Sequence, residues 1–211
     1  MNTLSIALTK GRLESKAVER LARSGLDVTP LTDKGRKLVA ETVDEASGTL
    51  FRFVFAKASD VITYVEYGVC DAGVVGKDTL LEAGRPVYEL SDLGFGACRF
   101  ALAAPDGSNF YAGYGRKIVA TKYPAVARNF FRQKNMDVEI VKIEGSVELA
   151  PLLGLSDGII DIVETGATLR ENGLTVIEEV LPVSARLIAN TAGLKLKKPG
   201  IERLVHMLAQ Q

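Results

Sequence analysis

Ile159-Ile-Asp-Ile-Val-Glu-Thr-Gly-Ala-Thr168 is an apolar run with one carboxylate inside it, ending in a turn of acid, hydroxyl and glycine. The β-branched residues Ile159, Ile160, Ile162 and Val163 predict a buried strand that runs straight into a turn and a short helix. That order suits a phosphate. Consecutive backbone N–H groups at a strand-to-helix turn point outward, and a helix N-terminus adds positive potential. Gly166 lets the backbone approach the phosphate oxygens, and the hydroxyls of Thr165 and Thr168, either side of Ala167, add donors. Asp161 sits in the apolar strand, where an unpaired carboxylate is expensive. The neighbouring hydroxyls of a ribose would satisfy it, with help from Glu164. A bare Thr-Gly-x-Thr also serves as an ordinary turn cap, as Asp and Thr do in many loops. The strand and its two acids give the phosphate reading equal footing here.

Working outward, short β-rich runs alternate with helical patterns along the chain. Leu4 to Leu8 predicts a strand, followed by a helix over 13–24 with Leu13, Ala17, Val18 and Leu21 on one face and Gly25 as its stop. Leu50 to Ala56 predicts a second strand. Ser59 or Asp60 is placed to cap a helix running to Tyr67 and ended by Gly68. A third strand spans 72–75, before Gly76-Lys77-Asp78 and another helix start. Further strands are expected over 98–104, 117–121, 138–143 and 159–163, with a helix over 124–134 and a loop from Pro105 to Arg116. The last helix opens at Pro199 and repeats Ile201, Leu204, Val205 and Leu208. Strand–helix alternation of this kind implies an α/β fold with largely parallel sheets. Whether there is one sheet or two is left open by the pattern.

Lys and Arg together number 26, as do Asp and Glu, so no global field draws the chain to nucleic acid or to a membrane surface. Hydrophobic residues at 47% and charged residues at 25% of 211 positions are globular values. The apolar run at the N-terminus is far shorter than a signal-peptide core and meets Lys10-Gly-Arg12 at once, so no export signal is expected. Cys70 and Cys98 have no metal-ligand spacing and build no disulfide framework. They fit buried or half-buried thiols in a reducing cytoplasm, the compartment expected for this chain.

Several stretches together carry a family resemblance. They are Thr9-Lys-Gly-Arg-Leu13, Ala58-Ser-Asp-Val61, Tyr64-Val-Glu66, Asp71-Ala-Gly-Val-Val-Gly-Lys-Asp78 and Ala120-Thr-Lys-Tyr123. Gly145-Ser-Val-Glu-Leu-Ala-Pro151, Gly154-Leu-Ser-Asp157, Asp161 to Leu169 and Asn172-Gly-Leu174 complete the set. In this order they resemble the ATP phosphoribosyltransferase family, in its short form, along nearly the whole chain. The resemblance implies condensation of ATP with phosphoribosyl pyrophosphate to N1-(5-phosphoribosyl)-ATP and pyrophosphate, the first step of histidine biosynthesis. It implies a two-lobed α/β fold like the type II periplasmic binding proteins, with the active site in the interlobe cleft. Residues 1–90 would form lobe I, 91–180 lobe II, and 181–211 would return to lobe I. Type I phosphoribosyltransferases carry a similar loop, but with two adjacent acids where this chain has Ile160-Asp161.

The implied reaction needs no base before the bond forms, because adenine N1 attacks with a free lone pair. The single histidine, His206, is then a surface or core filler. Catalysis becomes positioning plus neutralisation of departing pyrophosphate. Mg²⁺ bridging the pyrophosphate oxygens is the expected metal, held by substrate and water rather than by a protein cage. Arginine stays charged and bonds two oxygens at once. Arg12 follows a strand end and opens a helix, where open α/β sheets bind ligands. Arg36 lies in Lys34-Gly-Arg-Lys37, a run that reads equally as solvated charge. Both match positions that the family uses at its active site. Lys10 with Gly11, and Lys77, are the candidates for ATP phosphates, while Arg170 and Arg186 are read as structural.

Two other readings cover part of the pattern. A solute- or effector-binding module of the same two-lobed fold explains the alternation but not a phosphate loop flanked by Asp161 and Glu164. A phosphoribosyltransferase for another base explains the loop equally well. Short members of the family lack the C-terminal histidine-binding domain of long ones. The resemblance therefore implies a homodimer alone and a hetero-octamer with a regulatory subunit related to histidyl-tRNA synthetase.

Overall fold

A computed structural model describes residues 2–209, which divide into two compact units, residues 2–96 with 184–209 and residues 97–183. The crossovers lie a few residues beyond 90 and 180, and packing explains why. Leu93 and Phe95 are buried in the core of the first unit, and Leu93 N–H donates to the Ala185 carbonyl at 2.9 Å.

The first unit begins with β1 (Thr3–Thr9), α1 (Arg12–Arg23), the short α2 (Thr29–Thr32), β2 (Val39–Asp44) and β3 (Thr49–Ala56). It continues with α3 (Ala58–Glu66), β4 (Ala72–Gly76), α4 (Lys77–Ala83) and β5 (Tyr88–Asp92). The second unit holds β6 (Cys98–Pro105), β7 (Lys117–Thr121), α5 (Pro124–Gln133), β8 (Val138–Lys142) and α6 (Leu149–Leu152). It closes with β9 (Gly158–Val163), α7 (Ala167–Glu171) and β10 (Leu174–Val183). The chain then returns to the first unit as β11 (Ala185–Ala189), α8 (Thr191–Leu196) and α9 (Lys198–Ala209).

Both sheets are mixed, which corrects the expectation of largely parallel ones. The first runs β2-β3-β1-β4-β11-β5, with β3 and β4 parallel to β1 and the pairs β2–β3, β4–β11 and β11–β5 antiparallel. The second runs β10-β6-β9-β7-β8, parallel only at β7–β8 and β7–β9. At β2–β3 the cause is direct, because the two strands form a hairpin without the helix that a parallel crossover needs.

Strand alternation buries the first sheet on both faces. Leu4, Ile6 and Leu8 of β1, Val74 of β4 and Leu187 of β11 share a core with Leu21 of α1 and Leu204, Met207 and Leu208 of α9. Ala7, Val75 and Ile188 turn the other way onto Val61, Ile62 and Val65 of α3. α3 is capped at Lys57 with no side-chain cap bond, so Asp60 lies in the first turn rather than at the cap. In the second unit Ala150 of α6 and Leu169 of α7 pack on Ala101, Ala103, Ala120 and Ile159. Phe130 and Phe131 of α5 stack edge to face at 5.0 Å, and Phe131 also meets Phe110 of the 106–116 loop. No helix among the described residues is long and apolar enough to cross a membrane.

Asp71, buried just before β4, ties three parts of the first unit together. One carboxylate oxygen accepts from Ser5 N–H and from the Lys197 ammonium, each at 2.8 Å. Its main chain exchanges bonds with Ser5 and Asn190, and the Asn190 side chain bonds the Cys70 carbonyl and Gly193 N–H. Replacing Asp71 by Ala removes the acceptor of a part-buried strand N–H and the partner of Lys197, and is expected to cost about 2–4 kcal/mol in urea unfolding. Lys197→Met should cost less than about 1 kcal/mol, because the lysine is partly solvated. Equal losses in both variants would show that the ion pair, not the strand-end hydrogen bond, carries the stability.

Candidate active site

The residues singled out by sequence fall into two sets, one in each unit. In the second unit the chain leaves β9 through Glu164, Thr165 and Gly166 and enters α7. Gly166 has φ 73°, in the left-handed region that a side chain would strain. This lets the chain reverse into α7. The Thr165 hydroxyl accepts from Ala167 N–H at 3.3 Å, and the Arg170 guanidinium donates to the Thr165 carbonyl at 3.1 Å. Asn172 donates to the Thr168 carbonyl at 2.8 Å, and Arg99 reaches the Glu164 carbonyl at 3.4 Å. The loop is thus held from behind by its carbonyls, with Glu164, Thr165 and Thr168 exposed. α7 is only 5 residues long, too short for a strong helix dipole.

This loop forms one wall of a concavity of about 250 Å³ lined by Glu148, Asp161 and residues 162–169. Asp161 is half-buried in β9, and its pKa is pushed up from the ordinary 3.8, first by burial and further by the Glu148 carboxylate. The Ile162 N–H and the Lys122 charge pull in the opposite direction. Lys122 follows directly on Thr121, the last residue of β7, which pairs with Ile160 of β9. Parallel register therefore brings the ammonium beside Asp161. Two carboxylates in one small concavity repel each other until a diol or a cation enters between them. Neither Glu148 nor Lys122 was singled out from sequence. Both lie in the motif stretches quoted above, but only the pairing of β7 with β9 and the start of α6 bring them to Asp161.

In the first unit, the parallel strands β1, β3 and β4 end side by side. Lys10 N–H donates to the Ala56 carbonyl at 2.9 Å, and the Thr9 hydroxyl donates to the Val74 carbonyl at 2.8 Å. Gly11 caps α1 with φ 96° and ψ −139°, a combination open to glycine. Arg12 is thereby the exposed first residue of the helix. Arg36 lies in a turn closed by Lys37 N–H on the Lys34 carbonyl at 3.0 Å, and Phe55 N–H then donates to the Leu38 carbonyl at 2.9 Å. The end of β3 thus touches both arginine-bearing segments. Lys10, Gly11, Arg12 and Arg36 are all exposed, whereas half-buried Lys77 pairs its ammonium with Glu89.

Other features stand apart from both sets. His206 is exposed on α9. Cys70 is buried, and its thiol is pushed up to about 11 by burial and by Asp71, so it is inert as a nucleophile at neutral pH. Arg186 is held by Glu89 and Asp92 at 3.3 and 2.8 Å. Among the described residues no three His, Cys, Asp or Glu side chains gather into a group that could hold a metal ion.

Comparison with known proteins converges on one family. The model of HisG, ATP phosphoribosyltransferase, matches residues 57–210. An ATP phosphoribosyltransferase of Clostridium kluyveri is 53% identical over 208 residues, covering 99% of this chain and 93% of the relative. Among solved structures, a chain of the ATP phosphoribosyl transferase (HisG:HisZ) complex from Thermotoga maritima superposes with a TM-score of 0.78 at 31% identity, covering 97% of this chain and 96% of that one. A periplasmic sulfonate-binding protein from Methylobacillus flagellatus shares the fold alone, with a TM-score of 0.63 at 14% identity over 99% of this chain and 67% of its own. The chain belongs to the ATP phosphoribosyltransferase family.

Proposed function

We propose that the concavity beside β9 receives the phosphoribosyl group in the first step of histidine biosynthesis, the condensation of ATP with phosphoribosyl pyrophosphate. The observation that carries this reading is the meeting of the Thr165–Thr168 loop with the Asp161–Glu148 carboxylate pair in one small space. The N–H groups and hydroxyls from Thr165 to Thr168 grip the 5-phosphate, with Gly166 and Ala167 giving close backbone approach. Asp161 accepts from the ribose hydroxyls, and Glu148 and Glu164 flank it. In the reaction the adenine N1 lone pair forms the bond to C1′ while the C1′–O bond breaks, and pyrophosphate leaves with the electron pair. No side chain has to remove a proton for that step.

Arg12 and Arg36 neutralise the departing pyrophosphate, each as a fixed cation with paired donors. Lys10 and the Gly11 backbone serve the ATP phosphates, and Lys77 would have to exchange Glu89 for a phosphate to join them. Mg²⁺ suits this donor set, since a hard cation carried on pyrophosphate and water needs at most one or two carboxylates, and Asp161 and Glu148 supply them. When bound it neutralises charge on the leaving group. The chain forms a homodimer alone and acts in the cytoplasm. It joins a regulatory subunit related to histidyl-tRNA synthetase in a hetero-octamer. Likeness to a chain of the HisG:HisZ complex supports that partner.

Thr168→Ala is expected to weaken phosphoribosyl pyrophosphate binding by about 1–3 kcal/mol, the usual worth of a hydrogen bond to a charged group, while leaving ATP binding alone. An unchanged Michaelis constant for phosphoribosyl pyrophosphate would remove the loop from the site. Asp161 gives a stability signature as well. Because its folded pKa is raised, its contribution is fully favourable below the ordinary 3.8 and is lost as pH rises through the shifted value. Asp161→Asn should therefore raise the melting temperature at pH 7, with the gain vanishing on acidification below the ordinary carboxylate range, while weakening phosphoribosyl pyrophosphate binding. A variant less stable than the parent at pH 7 would contradict this account. Calorimetry of the isolated chain with histidine should show no saturable site, and histidine inhibition should appear on adding the regulatory subunit. Tight binding at one site per chain would place regulation within these residues instead.

A further inference from the structure

Glu14 stands two residues after Arg12, and Lys34 two residues before Arg36. The structure joins them: the Lys34 ammonium donates to the Glu14 carboxylate, and their side chains are only 19% and 15% exposed. The same ammonium lies 4.3 Å above the centroid of the Phe55 ring, and Phe55 is buried at the end of β3. Some ion pairs of the first unit are far more exposed. Lys16–Glu19 lies within α1 at 54% and 42% exposure, and Arg52–Glu41 joins paired strands at 49% and 43%. Pairs so exposed contribute little to stability or to geometry. A half-buried pair seated on an aromatic face is different, because losing either partner leaves the other charge without compensation.

The position of this pair gives it a purpose. α1 delivers Arg12 from its first turn, and Glu14 belongs to that same turn. The turn delivering Arg36 begins at Lys34, is closed by the Lys37-to-Lys34 hydrogen bond, and meets β3 through Leu38 and Phe55. Gly35, with φ 58°, and exposed Arg36 stand out from it. The Glu14–Lys34 contact is therefore a side-chain brace from the helix of one arginine to the turn of the other. We propose that Glu14 and Lys34 are positioning residues that set Arg36 relative to Arg12 for neutralising pyrophosphate. This rests on the assignment of both arginines to the leaving group. The chemistry favours such a brace, since misplacing a catalytic group by about 1 Å costs on the order of 10²-fold in rate.

The test uses the complete chain in single-turnover reactions with ATP, phosphoribosyl pyrophosphate and Mg²⁺, alongside thermal unfolding. Arg12→Ala and Arg36→Ala are each expected to slow the chemical step by roughly 10²–10³-fold, as loss of an oxyanion donor does. Glu14→Gln and Lys34→Gln should slow it about tenfold, a partial version of the misplacement penalty, with Michaelis constants changed less than about twofold. Lys34→Arg, which keeps a cation on the Phe55 face, should recover most of the rate. In an Arg36→Ala background, Lys34→Gln should cost nothing further, which a purely structural brace would not produce. Full activity of Arg36→Ala would overturn the arginine assignment and the positioning role with it. A slow Arg36→Ala beside a full-rate Lys34→Gln would overturn the positioning role alone. So would a Lys34→Gln penalty that persists in the Arg36→Ala background, or that follows a fall in melting temperature without rescue by Lys34→Arg.

Discussion

The first unit depends on one buried carboxylate. Asp71 lies where β4 begins, and its acceptor oxygens and main chain reach the start of β1, the cap of α8 and Lys197. Ser5 is far in sequence from Asn190 and Lys197, so the residue fixes the late segment of the chain against its earliest strand. Burial of the carboxylate makes these bonds costly to lose, because its acceptors are withdrawn from water. The end of β1, which leads to Arg12, follows from this registration. β1 ends at Thr9, whose hydroxyl bonds Val74, and the following turn sets the first residue of α1.

The two units handle charge in opposite ways. The first exposes cations at the ends of its parallel strands and holds their carriers with carboxylates that are already satisfied. The second keeps Asp161 half-buried near Glu148, with Lys122 as a partial counterweight. Burial and the Glu148 carboxylate together disfavour the charged form of Asp161. The Glu164–Thr168 loop is held instead by side chains that bond its carbonyls.

Much of this was readable in the residues. β1, β3, β7 and β9 are compact apolar runs, and α5 and α9 open on prolines and repeat at helical spacing, so local pattern and burial agree. β5, β10 and β11 gave no comparable signal. β5 is an edge strand with Glu89 and Asp92, and β10 carries Glu178 and Glu179 with register shifts along it. β11 is short and mixed, and only its central place between β4 and β5 buries it. At the site, the Thr165–Thr168 loop is a local device and shows itself locally. Glu148 beside Asp161, and Glu14 beside Lys34, are meetings of distant segments, and no spacing along the chain announces them.

The return of residues 184–209 to the first unit also bears on how the protein is made. β11 sits between β4 and β5, so the sheet lacks an interior strand until that segment has left the ribosome. Residues 97–183 are contiguous and complete as soon as they emerge, so the second unit can fold during synthesis while the first waits. In that interval β4 presents an unpaired edge of small and aliphatic residues, the kind of surface that invites pairing with another nascent chain. The gene order thus assigns this enzyme a vulnerable period in translation, and its length is set by the time needed to synthesise the second unit.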